Sequence, residues 1–259
     1  MSNQTMVEQQ RNPIDAVFTT CLLNDGKILD ADLHFQRIHD HAERLRIRLH
    51  PEIRKNIIKS ICDQLKDHSS SSSPELLRIE ICRDENILCS TRPLPAYQPF
   101  LQAISMELPN WNQAVLGCKH GDWAPYKHAH EIAQQHHCQL AIFMNNNTII
   151  DADRATPVLL DRDGVLWMSA ERYGAVRSLT LESILNDVKA LGFEVQYGHI
   201  TEKMILHCRE LLAVGTGIGV ATIDRIDGIE IGEQSQFAQH IYECLQHHRN
   251  NSQSWLNIW

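Results

Sequence analysis

The sequence predicts an α+β fold. Two observations point to it. Short apolar runs are separated by tight-turn signals: Asn24-Asp25-Gly26, Asn145-Asn146-Asn147 and Arg162-Asp163-Gly164 each stand between two strand-like segments, as a hairpin requires. Amphipathic helical segments are interspersed, yet few lie between two strands in the manner of a βαβ unit. The chain has 259 residues and is 43% hydrophobic and 22% charged, long enough for one large domain or two smaller ones with a real core.

Residues 16–23 read as a strand, and Lys27 starts its return partner across the Asn24-Asp25-Gly26 turn. Residues 34–46 and 51–67 read as helices; in the second, Ile57, Ile58, Ile61, Cys62 and Leu65 recur at helical spacing. The serine run from Ser69 to Ser73 is expected to be a flexible loop. Leu76 to Cys82 is a strand, with further short strands up to about Met106. Pro109 to Lys119 reads as a connection, and 124–137 as a helix. The two later hairpins pair 139–144 with 148–151 and 156–161 with 165–169. A helix from about 179 to 191 ends at Gly192, a good C-terminal position for glycine. Glu194 to Tyr197 is a strand, and Thr201 caps a short helix. Strands at 211–214 and 219–223 precede a last helix over 233–248.

Formal net charge is −8 and no strong basic run occurs, which argues against nucleic acid or an anionic membrane as the main partner. A small anionic substrate needs local positive groups against that background. Eight cysteines are scattered without a CxxC pair, which suits reduced thiols in a cytoplasmic protein better than a disulfide scaffold. The first ten residues are polar and lack the apolar core of a signal peptide, and no apolar run is long enough to span a bilayer. The histidines do not make a metal site: His128 and His130 point to different helix faces, and His130-Glu131 is not followed by a histidine at the zinc-protease spacing. His136-His137 and His247-His248 read as solvated helix ends, and no metal is assigned.

Five segments carry the chemistry in their order: His34-Phe-Gln-Arg37, Leu116-Gly-Cys-Lys119-His-Gly-Asp122, Ile149-Ile-Asp151, Gly174-Ala-Val-Arg-Ser-Leu-Thr180 and Ala213-Val-Gly-Thr216-Gly217. Taken together they resemble the fold-type IV family of pyridoxal-phosphate (PLP) enzymes, which includes branched-chain and D-amino-acid aminotransferases and 4-amino-4-deoxychorismate lyase. The resemblance covers about Ile14 to Gly232. It implies a two-domain architecture like that of D-amino-acid aminotransferase: a small N-terminal α/β sandwich over residues 1–107, and a larger, β-barrel-like C-terminal PLP-binding domain over 108–259. A homodimer is expected with it.

The resemblance also assigns roles. Lys119 matches the Schiff-base lysine, with Lys127 as the nearby rival. Asp151 stands where the family usually places a glutamate facing the pyridine nitrogen, and a carboxylate there favours the protonated ring; Asp153 is the alternative. Arg37 matches the phosphate-binding arginine, whose planar fork of donors suits a phosphate. Leu179 and Thr180 match the helix start that cradles phosphate, and Thr216 lies in the second phosphate loop, where flanking glycines permit close backbone approach. The tyrosine that some relatives place shortly after the lysine is absent, since His120-Gly-Asp122-Trp123 follows; Tyr126 is a possible substitute.

Within the family, Phe18-Thr-Thr20, Asn24-Asp-Gly-Lys27, His34-Phe-Gln-Arg37 and the pair Lys119-His120 look closest to aminodeoxychorismate lyases. That likeness implies conversion of 4-amino-4-deoxychorismate to p-aminobenzoate and pyruvate, in folate synthesis, with Lys119 as the general base. Arg83, Arg92 and Arg177 are the candidate partners for substrate carboxylates. Arg83-Asp-Glu-Asn86 replaces the family's usual Arg-Gly-rich segment, and Thr156-Pro157 stands where Asn-Leu-Phe is frequent. The alternative activity is an aminotransferase acting on D- or branched-chain amino acids through the same Lys119. A third reading is a PLP-carrying relative without turnover.

Overall fold

The computed structural model describes residues 12–66, 73–233 and 236–259. The serine run expected to be a loop lies outside the described residues except for Ser73. Strand β1 (Ala16–Asn24) turns through Asp25 and Gly26, both at positive φ (47° and 68°), into β2 (Lys27–Leu29), the backbone geometry of a tight two-residue hairpin. With β3 (Glu75–Cys82), β4 (Ile87–Pro93) and the short β15 (Trp255–Asn257), they form a five-stranded antiparallel sheet in the order β15-β2-β1-β3-β4.

Helices α1 (Ala31–Arg44) and α2 (Ile53–Gln64) cover one face of this sheet. Val17, Cys21, Leu77, Ile79 and Ile81 pack there against Ile38, Ala42, Ile57 and Ile61. Successive strand side chains alternate between faces, so Phe18, Thr20, Leu76 and Arg78 point the other way, and all four line a large cavity.

The second sheet holds β5 (Phe100–Glu107), β6 (Leu140–Asn145), β7 (Thr148–Ala152), β8 (Thr156–Leu160), β9 (Val165–Ser169), β10 (Glu194–Gly198), β11 (Ile200–Thr201), β12 (Glu210–Gly215) and β13 (Gly219–Ile226). Its order is β10-β9-β8-β12-β13-β5-β6-β7-β11, with β14 (Ile229–Glu230) on β13. The sheet curls into a nearly closed barrel in which β11 approaches β9. Helix α3 (Ala124–Gln135) links the parallel strands β5 and β6. Between the parallel strands β9 and β10 lie α4 (Leu179–Glu182) and α5 (Leu185–Ala190). Helices α6 (Glu202–His207) and α7 (Phe237–Asn250) complete the layer, with Phe237, Ile241 and Leu245 buried against β12 and β13.

The structure is mixed α+β, as the sequence predicts, and departs from the expected elements in four places. The helix expected over 179–191 is two short helices. Ile184 leaves helical geometry (φ −113°, ψ 6°), and the Ser183 hydroxyl donates to the Thr180 carbonyl (3.0 Å), a side-chain bond that competes with the helix ladder. The last helix begins at Phe237, where the buried Glu210 carboxylate accepts the otherwise orphaned N–H groups of Phe237 (3.2 Å) and Ala238 (3.4 Å). His248 is not a solvated helix end: its Nε2 lies 2.7 Å from the Asp30 carboxylate, tying α7 to the start of α1. Finally, β5 precedes residue 107 yet pairs with β6 and β13, while β15 returns the C-terminus to the five-stranded sheet.

Candidate active site

The cavity between the two sheets encloses about 580 Å³. Lys119 enters it from the loop that follows Gly117. Gly117 holds φ +74°, and a Cβ there would lie 2.9 Å from the Ala175 carbonyl oxygen, so only glycine fits this turn without displacement. The Lys119 backbone is clamped on both sides. Its N–H donates to His41 Nδ1 (3.1 Å) and its carbonyl accepts from the Phe18 N–H (3.1 Å). The side chain carries Nζ to 4.7 Å from the Trp123 ring centroid and 5.1 Å from that of Phe18. Phe18 and Trp123 themselves meet edge to face at 5.0 Å.

Burial lowers the pKa of Lys119, the Arg37 charge lowers it further, and Asp151 opposes them. Asp151 sits on β7 with its side chain in the same cavity, where Oδ2 accepts the Val176 N–H (3.1 Å). Burial raises its pKa, while the Val176 N–H and Lys119 pull the other way. Burial thus makes Lys119 a weaker base and Asp151 a weaker acid than exposed counterparts, while the opposite charge of each favours the charged form of the other. Asp153 also lines the cavity, but its Oδ1 accepts the Ala141 N–H (3.1 Å), and its Oδ2 lies 2.8 Å from His130 Nδ1 outside hydrogen-bond geometry. Lys127 lines the cavity too, from α3. Tyr126 is buried and stacks on Trp123 at 3.9 Å; its phenol is pushed well above its ordinary value by burial and by the Asp151 charge.

Arg37 is only 4% exposed, which excludes a solvated helix arginine. One terminal nitrogen donates to Thr19 Oγ1, and Nε is buried with no hydrogen-bond partner among the described residues. Burial lowers its pKa to about 10, so it remains a cation at neutral pH. A buried cation with an orphaned N–H needs an anion. In the same cavity, the Thr180 and Thr216 hydroxyls lie 3.4 Å apart. Leu179 opens α4, which Ser178 caps through the Leu181 N–H. Since α4 is a single turn, its contribution to an anion comes from its free N–H groups rather than from a long helix dipole. At Gly215 a Cβ would come within 2.8 Å of the Arg154 carbonyl oxygen, so the loop backbone passes close to its neighbours there. Arg37, Lys119, Asp151, Leu179, Thr180 and Thr216 thus all line one cavity. An orphaned guanidinium and two hydroxyls for a phosphate, an amine for an aldehyde and an acid for a ring nitrogen are the donor set that PLP requires, and the residues present fit it.

Of the arginines considered for substrate carboxylates, Arg92 and Arg177 line the cavity, the latter paired with Glu182 (3.0 Å). Arg83 does not: it donates to the backbone carbonyls of Ile14, Leu45 and Arg46 and serves the fold. Sequence reasoning missed Arg78, Trp123, Arg154 and His41. Arg78 was legible in principle, because Leu77, Ile79 and Ile81 are the core face of β3 and Arg78 lies between them on the other face. Its guanidinium lies 3.5 Å from the Phe18 ring centroid and pairs with Glu80 (2.7 Å). His34, Arg37 and His41 share one face of α1 at helical spacing, a second signal available in the sequence.

The profile of the amino-transferase class IV family matches residues 16–226. Among solved structures, the fold is similar to the PLP-bound form of a hypothetical aminotransferase from Mycobacterium tuberculosis (TM-score 0.78, 16% identity, covering 91% of this chain and 89% of that one). It is also similar to the branched-chain amino acid aminotransferase of Escherichia coli (TM-score 0.73, 18% identity, 88% and 83%). A candidate 4-amino-4-deoxychorismate lyase from Legionella pneumophila gives a TM-score of 0.75 at 16% identity, covering 90% of this chain and 91% of that one. At such identities the likeness shows the fold alone. No curated protein matches the chain in sequence.

Proposed function

The chain belongs to the class IV aminotransferase family of PLP enzymes, and we propose that within it the protein is a lyase that converts 4-amino-4-deoxychorismate to p-aminobenzoate and pyruvate. The observation that carries this reading is the setting of Lys119. Its amine lies against two aromatic rings, Phe18 and Trp123, in a cavity lined by seven lysines and arginines against three aspartates and glutamates, on a chain of net charge −8. Aromatic walls suit a planar ring substrate, and excess positive charge suits one bearing carboxylates.

Arg37, Thr180, Thr216 and the N–H of Leu179 would hold the cofactor phosphate. Asp151 would favour a proton at the pyridine nitrogen through its carboxylate. Bound PLP supplies an electron sink for the carbon that bears the substrate nitrogen. Lys119 Nζ, neutral at lower pH than an exposed lysine, takes the proton from that carbon. The electron pair released there expels the enolpyruvyl oxygen and the ring becomes aromatic; the proton on Lys119 Nζ passes to the methylene carbon of the departing enolpyruvate, which leaves as pyruvate. Trp123 and Phe18 keep water from Nζ and pack against the ring, and Arg78, beside Phe18, faces a substrate carboxylate. Lobes divided between β4 and β5, with β15 returning to the first, and a two-fold dimer complete the reading. No helix among the described residues is long and apolar enough to cross a membrane.

Product analysis tests the proposal. PLP-loaded protein is given 4-amino-4-deoxychorismate, and p-aminobenzoate and pyruvate are quantified. Equimolar release of both, abolished in Lys119→Ala and retained in Lys127→Ala, is the expected result. No release, with amino-group transfer from D- or branched-chain amino acids to a keto acid instead, overturns the lyase reading in favour of an aminotransferase.

A further inference from the structure

We propose that Arg92 and Arg154 form an anion subsite at the rim of the cavity, which receives one substrate carboxylate and selects diacids over monoacids; the inference rests on the cavity being the substrate site proposed above. The other guanidiniums of the cavity each have a partner among the described residues. Arg37 is held on Thr19, Arg78 on Glu80 (2.7 Å) and Arg177 on Glu182 (3.0 Å). Arg92 lines the cavity from the end of β4, and among the described residues no hydrogen bond or ion pair engages its side chain.

Arg154 is half committed. One terminal nitrogen donates to the Gln139 carbonyl (2.5 Å), while Nε is buried without a hydrogen bond. The Asp153 Oδ2 lies 3.9 Å from that Nε, beyond hydrogen-bond reach, and is 2.8 Å from His130 Nδ1. Both arginines border the glycine loop. Arg92 pairs across the sheet with Leu76, whose Cδ1 lies 3.0 Å from where a Gly217 Cβ would stand, and the Arg154 carbonyl oxygen lies 2.8 Å from where a Gly215 Cβ would stand. Burial makes Arg154 a weaker base; the Asp153 carboxylate offsets this, and the nearby Arg92 charge adds to it. The other charged or titratable groups on this side of the cavity are Lys127, His130 and Glu131, and Glu131 stands 3.6 Å from His128 on the exposed side of α3.

Arg92 and Arg154 line the same cavity, and the Asp153 carboxylate, 3.9 Å from Arg154 Nε, makes no hydrogen bond to either guanidinium, so an incoming carboxylate gives both forks an acceptor. The rim also has room for it. A second cavity of about 470 Å³ shares Pro95, Arg154, Gly217 and Ile218 with the first, so a substrate arm that carries its own acid can extend past Arg154. Lys119 and Arg78 lie deeper, on the Phe18 side, and a ring carboxylate held there leaves the rim for the second acid.

The test uses PLP-loaded protein and three probes: benzoate, isophthalate and 3-(carboxymethoxy)benzoate. Binding is followed by tryptophan fluorescence and by calorimetry. At least one diacid is expected to bind on the order of tenfold or more tightly than benzoate, the effect of one charge-assisted hydrogen-bonded contact. Arg92→Gln, at an exposed position where folding is not at stake, is expected to cut that preference to within about threefold, with benzoate binding and the cofactor absorbance unchanged. Arg92→Lys keeps part of the preference. Arg154→Lys, which keeps the charge and a donor to Gln139, is expected to weaken the diacid alone. Equal binding of benzoate and both diacids, or a preference that survives in Arg92→Gln, overturns the subsite. Because the probes do not react, this outcome is independent of whether p-aminobenzoate is released from 4-amino-4-deoxychorismate.

Discussion

His41 holds the lysine only while its imidazole is neutral. Nδ1 accepts the Lys119 N–H, so that nitrogen cannot carry a proton. Burial, then the charges of Arg37, Lys119, Arg44 and Arg177, push its pKa down to about 3, which keeps the acceptor available across the physiological range. The same helix face presents Arg37 one turn earlier, so the phosphate-facing and lysine-positioning side chains move as one rigid unit. Replacing His41 by leucine leaves the Lys119 N–H without its partner in a protected place, at a cost of about 1–3 kcal/mol, whereas asparagine offers an amide oxygen in its stead. His41→Leu is therefore expected to lower urea stability by that amount and to slow PLP uptake by the apoprotein. His41→Asn stays closer to the parent in both. Wild-type uptake kinetics in the leucine variant would show that the clamp on Lys119 does not position it.

Among the elements, the loop that delivers Lys119 depends on Gly117. A non-glycine residue at positive φ costs about 1–2 kcal/mol by backbone sterics alone. Gly164, in the β8–β9 turn at φ +86° with no atom within 4 Å of where a Cβ would stand, measures that cost by itself. At Gly117 a Cβ would also press on the Ala175 carbonyl at 2.9 Å, so Gly117→Ala is expected to lose more stability than Gly164→Ala and to release PLP faster. Equal losses in urea titrations of the two variants would mean that the Ala175 segment yields freely. Hairpins of this kind were legible in the sequence, because turn chemistry is local: Asn24-Asp25-Gly26 and Arg162-Asp163-Gly164 announce themselves. The motif order likewise pointed to Arg37, Lys119 and Asp151, and the structure brings them into one cavity. Non-local structure was not legible. Trp255–Asn257 is three residues long, too short for any period, and becomes a strand only because β2 offers an open edge. The same limit hid Arg154 and Trp123, whose place in the site is set by which sheet face and which loop they meet. It also hid His248, whose partner Asp30 lies at the far end of the chain.

For the molecule as a whole, the site places three neutral imidazoles in its interior, and acid stability follows from them. His34 is bonded to Thr19 (2.7 Å) beside Arg37, His41 holds Lys119, and His120 is packed between Trp111 and Trp123. Burial lowers all three, His34 well below its ordinary value, His41 to about 3 and His120 to about 4. Between about pH 6.5 and 4 the unfolded chain binds three protons there that the folded chain refuses, so stability is lost as pH falls through that window. Asp151 and Asp30 act in the opposite sense, since burial raises both and the folded state takes up their protons early. Three imidazoles outnumber the two carboxyls, so unfolding takes up net protons as pH falls through the lower part of this window, and stability falls by on the order of 1 kcal/mol per pH unit. Urea titrations of the cofactor-free protein at pH 6.5, 5.5 and 4.5 are expected to show a decline that steepens towards pH 4.5, and His41→Asn is expected to flatten it. A stability that holds level or rises on acidification would mean that the three imidazoles take up protons in the folded state, and the neutral clamp on Lys119 would not survive below pH 6.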